Sequence, residues 1–300
     1  MLSNPAGLAS LGSGSASDLS LSFNSLLDTS YLGYAAFGQG LGGSGVLGAD
    51  VVYFSQQAMT TYSGIGLAQG SFQPADWSAA LAYARRFDGF SVGVEAKFIH
   101  SALADVSGRS AAVDLGAQAK SVFLLSGGPV DLGAYFSNLG PPIKLGGVSS
   151  PLPFAAVAGL LWHGAPAFAE PSAASLPWDL DAGFDLHCPV DLAPYAALGL
   201  EAGFRFDGQR RKAAVRVGYN ESSAGVSGGY SGLTAGVGLD LQSFRLDYAW
   251  APFGDLGMQN RVTLALRVLA CGIGSGSPEH SEHRRVDAAV GGQGLASEFP

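Results

Sequence analysis

The sequence predicts an all-β chain that closes into a transmembrane antiparallel β-barrel of about 14 strands. Three observations predict it. Period-two alternation of apolar and polar residues recurs along most of the chain, whereas helical periodicity is hard to find. Within these alternations the apolar face carries no Lys, Arg, Asp or Glu. The opposite face mixes Gly, Ala and Thr with charges of both signs, a lining that suits a crowded interior better than a solvated exterior.

Composition narrows the solvent. Charged residues make up 13% of the chain, about half the share of a typical soluble domain, while hydrophobic residues reach 47%. So few charges cover an ordinary water-facing surface poorly. No apolar run is long enough for a transmembrane helix, so a membrane would have to be crossed by strands. The 44 glycines show no collagen-like period. A net charge of −8 without a basic cluster excludes nucleic acid as a partner. Cys188 and Cys271 form neither a disulfide framework nor a zinc site.

The strands follow in order. LSLSFNS (19–25), YLGYAAF (31–37), VLGADVVYF (46–54) and WSAALAYAR (77–85) open the series. FSVGVEAKFIH (90–100) sets Phe90, Val92, Val94, Ala96 and Phe98 against Ser91, Gly93, Glu95 and Lys97. SAAVDLGAQAKS (110–121) opposes Val113, Leu115 and Ala117 to Asp114, Gly116 and Lys120. VDLGAYFS (130–137) and PFAAVAGLLW (153–162) come next. WDLDAGFDLH (178–187) aligns Asp179, Asp181 and Asp185 on one face. YAALGLEAGFRF (195–206) carries Glu201 and Arg205, and KAAVRVGYN (212–220) carries Arg216. GLTAGVGLDL (232–241), SFRLDYAW (243–250) and RVTLALRVL (261–269) end the series, placing Asp240, Arg245, Asp247 and Arg267 on the polar face. Most are 7 to 12 residues long, the length of a tilted strand crossing a bilayer.

The charged set expected to face the lumen is thus Glu95, Lys97, Asp114, Lys120, Asp181, Asp185, Glu201, Arg205, Arg216, Asp240, Arg245, Asp247 and Arg267. Opposite charges among them are expected to pair across the lumen, the three aspartates with Arg205 or Arg216. Trp162, Trp178, Tyr248 and Trp250 near strand ends read as interfacial aromatics. Asp88-Gly89 and Asp207-Gly208 are hairpin signals, and 55–76 and 163–177 read as long loops. Residues 19–269 are assigned to the barrel and 270–300 to a disordered polar tail, with residues 1–18 a short segment ahead of the barrel that the resemblance given below implies is the remnant of a plug.

Motifs with chemical meaning resolve into turns. GLGGSG (40–45) fits a dinucleotide fingerprint but lacks the strand–helix unit that would use it. GVSGG (225–229) has no α/β pattern around Ser227. Aspartates spaced two apart on a strand do not wrap a calcium ion, and His100, His163 and His187 stand isolated in the sequence. No catalytic constellation, metal site or cofactor is expected, and the chain is read as not an enzyme.

Two stretches add a resemblance. NPAGLA (4–9) resembles the N-terminal segment of FadL-type outer-membrane barrels and their PorV/PorQ-type relatives. SNLGPPIKLGG (137–147) with LPFAAVAGLLW, and GLTAGVGLDLQSFRLDYAWAPFGDLGMQNRVTLALRV (232–268), resemble the PorV-type branch. The resemblance implies a fourteen-stranded barrel in the bacterial outer membrane whose N-terminal segment, with Asn4, Pro5 and Gly7 at its edge, plugs the lumen. It also implies a signal peptide upstream of Met1, since MLSNPAGLAS lacks a basic and an apolar region. Three functions follow as expectations: a FadL-like channel for hydrophobic small molecules such as fatty acids; a PorV-type accessory barrel whose partners are secretion-system proteins; and a soluble structural β-protein. For both barrels the outer-membrane lipid is a partner.

Overall fold

The computed structural model describes residues 4–11, 17–27, 29–164, 178–206, 211–224, 230–253 and 257–268. A 3₁₀ helix, Pro5–Leu11, precedes eighteen strands. These are β1 Ser17–Ser25, β2 Tyr31–Gly40, β3 Val46–Ser55, β4 Met59–Tyr62, β5 Ala68–Phe72, β6 Ala75–Arg86, β7 Phe90–Leu103, β8 Val106–Leu125 and β9 Gly128–Leu139. They continue with β10 Ile143–Leu145, β11 Val148–Ser150, β12 Ala155–Gly164, β13 Trp178–Pro189, β14 Tyr195–Phe206, β15 Arg211–Asn220, β16 Leu233–Asp240, β17 Phe244–Pro252 and β18 Met258–Val268.

Fourteen of these strands close a single antiparallel barrel, each bonded to its neighbours in chain order. Closure comes from β1 lying between β2 and β18, with Ser17 opposite Val268 and Ser25 opposite Asn260. Every wall strand coincides with one expected from the sequence. The four remaining strands form two side hairpins, β4–β5 and β10–β11. The first falls inside the stretch expected to be a long loop. Its β-forming MTTY pairs with AQGSF around a turn at Gly66, local chemistry too short to stand out as an alternation. The assignments to 165–177, Asp207-Gly208, Ser227 and the 270–300 tail lie outside the described residues.

The faces are inverted relative to a water-soluble protein. Along β7 and β8 the apolar residues Val92, Val94, Phe98, Val113 and Leu115 are exposed, while Glu95 and Asp114 are buried. β16 to β18 repeat the pattern, with Val237, Leu246, Tyr248, Val262 and Leu266 outermost. The two ends of the barrel also differ. One carries tight turns: Leu41–Gly45, Phe87–Gly89 and Ser126–Gly127. The GLGGSG stretch is therefore a hairpin turn. The other end carries the connections that hold the side hairpins. The chain reaches β1 and leaves β18 at the turn end.

Candidate functional site: the barrel interior

The 3₁₀ helix sits on the inner wall against β2, β3, β6, β7 and β8. Its sequence explains its start. Asn4 is the N-cap: its Oδ1 accepts a hydrogen bond from the Ala6 N–H at 3.0 Å. Pro5 follows at the first helical position, where a missing N–H costs nothing. The same Asn4 donates its amide to the carbonyls of Ala117 and Ala134 at 3.2 Å each, tying the cap to β8 and β9. Beneath it the wall is bare. A Cβ on Gly93 would overlap the Pro5 carbonyl carbon and the Ala6 nitrogen, and one on Gly116 would overlap Asn4 Oδ1. Leu8 and Ala9 complete the seat by packing on Val46, Ala82 and Ala84, with Leu11 alongside. Gly7 faces Gln118 at an ordinary contact distance, so no close approach there requires glycine.

A second set of contacts runs round the wall as ion pairs. Lys97 bonds Asp114 at 2.8 Å and the Asn138 side-chain oxygen at 2.7 Å. Asn138 has a positive φ of 59°, a conformation that Asn tolerates, and its N–H donates to Asp114 Oδ1. Asp131 accepts from Lys120 at 2.7 Å and lies 3.2 Å from His163 Nε2, while His163 Nδ1 lies 2.8 Å from Asp181. Asp179 joins Arg205 at 3.4 Å and Lys212 at 3.1 Å. Glu201 holds both Lys212 and Arg216, and Arg216 reaches Asp247 at 2.6 Å, which Arg245 also holds at 2.7 Å. Arg267 stands 3.9 Å from Asp18.

This arrangement corrects two expectations. The pairs run along the wall and not across the lumen, because neighbouring strands lie only about 4.8 Å apart and long cations reach the next strand but one. Asp179 pairs with Arg205, whereas Asp181 pairs with His163, and His163 is not isolated. Two of the longer reaches pass over glycine: Asp179–Lys212 crosses β14 at Gly203, and Arg216–Asp247 crosses β16 at Gly238. All thirteen charged residues expected on the polar face lie on the side opposite the exposed apolar rows. Asp179, aligned with Asp181 and Asp185 in the sequence, lies there too, and Asp50, Asp131 and Lys212 join them. Each sits at a period-two position, or at the first residue, of an expected strand, so alternation alone could have found it.

The aromatics divide between the ends. Trp162 donates its Nε1–H to the Leu125 carbonyl at 2.7 Å, and the Trp178 ring lies tilted against Phe204 with centroids 4.8 Å apart, both near the turn end. Trp250 lies towards the other end, where the Tyr248 hydroxyl bonds Asn260 Oδ1 at 2.7 Å. The mouth at that end is narrowed from within. The β10–β11 connection turns Ile143 and Leu152 onto Ala112 and Ile99 of the inner wall, and Ser110 Oγ donates to the Pro141 carbonyl at 2.7 Å. Among the described residues no group of His, Cys, Asp and Glu is arranged to hold a metal ion.

The fold is thus a closed fourteen-stranded antiparallel barrel with an apolar exterior and a charge-laced interior. Among solved structures, the Pseudomonas putida toluene transporter TodX aligns with a TM-score of 0.52 at 10% identity, over 88% of this chain and 90% of that one. A second TodX structure gives 0.50 at 12% identity, over 89% and 91%. A KdgM porin aligns at 0.38 and 9% identity over 83% and 98%, too loosely to argue from. At these identities the likeness is one of fold. No protein-family model matches the chain, and no curated protein matches its sequence.

Proposed function

We propose that this chain is a channel of the bacterial outer membrane that takes up hydrophobic small molecules such as fatty acids, with Asn4–Leu11 as its plug. The observation that carries the reading is the seating of that segment on a wall stripped of side chains at Gly93 and Gly116, inside a barrel whose outer face is apolar. A bilayer accounts for that outer face, since exposing Val237, Leu246 and Val262 to water would forfeit the burial that stabilises soluble folds. The interfacial role of Trp162, Trp178, Tyr248 and Trp250 belongs to the same reading. The solute enters at the mouth beside the β10–β11 connection, meets the plug, and leaves through the gap its displacement opens. Liposomes bearing the protein should accumulate a labelled fatty acid faster than empty ones; equal rates would reject the channel. Heat-modifiable migration in detergent checks the membrane barrel separately, and a chain that stays monomeric in plain buffer would support the soluble structural alternative.

A second reading, the secretion-accessory barrel, is favoured by one observation. The connections at the loop end expose Ile65, Leu67, Val148, Leu192 and Tyr230, a surface suited to another protein. Co-purification of exported proteins from cross-linked outer membranes, without solute uptake, would favour it.

A further inference from the structure

We infer that the lumen of this barrel is anion-selective, although the chain as a whole carries a net charge of −8. The inference rests on the channel reading and follows from how the ion pairs are layered. The carboxylates lie against the wall and the cations stand over them. Asp131 is 6% exposed where its partner Lys120 is 35%, and Asp114 is 4% where Lys97 is 15%. Asp179 is 5% exposed beneath Arg205 at 20%, and Asp247 is 15% beside Arg245 at 33%. Arg267, at 35%, outreaches Asp18. The physical cause is side-chain length: an Asp ends two atoms from the backbone, and Lys and Arg extend well beyond it. The two strand-crossing pairs over Gly203 and Gly238 draw the cations across the wall and cover the acids further.

The remaining inward carboxylates do not reverse the balance. Glu201 is as exposed as its partners but is clasped between Lys212 and Arg216. Asp50 and Glu95 on the facing wall are almost fully enclosed. Asp181 lies under His163, Asp185 is buried, and Asp76 and Asp240 sit at opposite ends of the barrel, Asp240 accepting the Gln242 N–H. What a passing solute meets is therefore chiefly guanidinium and ammonium: Arg205, Lys212, Arg216, Arg245 and Arg267 along β14 to β18, with Lys120 opposite. A passage lined by one sign of charge within a low-dielectric wall concentrates ions of the other sign. The permeant, or the polar end of a hydrophobic one, is thus expected to be anionic.

The test is the reversal potential of the protein in planar lipid bilayers under a potassium chloride gradient. It is recorded for the wild-type chain and for Gly93→Val, in which the plug is displaced. A several-fold preference for chloride over potassium is expected. Arg245→Gln combined with Arg267→Gln should bring the ratio towards unity, and Arg205→Gln provides a second, independent loss; heat-modifiable migration confirms that each variant folds. Conductance that is unselective or favours potassium overturns the inference while leaving the channel standing. Absence of any conductance in both chains removes the channel reading and the inference with it.

Discussion

The two sides of the barrel use the same residue for different ends. On β7, Gly93 lets backbone approach backbone, and on β8 Gly116 makes room for the hydrogen-bonded Asn4 side chain, so that Asn4–Leu11 lies flush on the wall. On β14 and β16, Gly203 and Gly238 let side chain meet side chain, so that an ion pair spans three strands. A contact made through fixed backbone tolerates no intruder. One made through flexible side chains can rearrange. A glycine-rich lining is thus two devices with different tolerances, and substitution separates them.

The largest effect is expected from Gly93→Val. Its side chain would occupy the volume of the Pro5 carbonyl, and since neither backbone can yield, the segment must leave. Limited proteolysis should cut between residues 4 and 11 in the variant and spare the wild type, while the barrel stays heat-modifiable; an uncut segment would dissolve the contrast. Next comes Asn4→Ala, which removes a cap and two further hydrogen bonds, worth about 1–3 kcal/mol together. Hydrogen exchange at Ala6 and Gly7 should speed up by the corresponding factor. Gly238→Ala should cost less, about 1 kcal/mol, because Arg216 can swing away and keep Glu201. Urea unfolding in lipid checks it, and a loss as large as that of a displaced N-terminal segment would erase the distinction. Arg267→Gln is the mildest, under about 1 kcal/mol, since its pair with Asp18 is long and partly hydrated.

The wall was legible because alternation is a local signal. A strand such as FSVGVEAKFIH declares both faces within eleven residues, and each wall strand is found where its alternation lies. Register between distant strands is not local. Nothing around His163 announces Asp131 on one side and Asp181 on the other, because that meeting depends on β12 lying between β9 and β13. The length of β8 was also hidden. SAAVDLGAQAKS alternates over 110–121, but the strand runs from Val106 to Leu125, and its pairing with β9 shifts register twice. Extra residues at such shifts break the alternation that would have revealed them. The N-terminal segment carries its signal in NPAGLA, whereas the glycines that seat it emerge only when β7 and β8 stand side by side.

The pairing of β1 with β18 bears on how the molecule comes into being. Ser17 meets Val268 across almost the whole length of the chain, so the last seam joins the ends that are furthest apart in sequence. Until β18 is in place, the growing sheet has two open edges, and any partner offering a strand can occupy them. Closure is therefore a single late event carrying the largest chain-entropy cost of any seam. A chain cut short before Met258 would be an open ribbon seeking edges, not a smaller barrel.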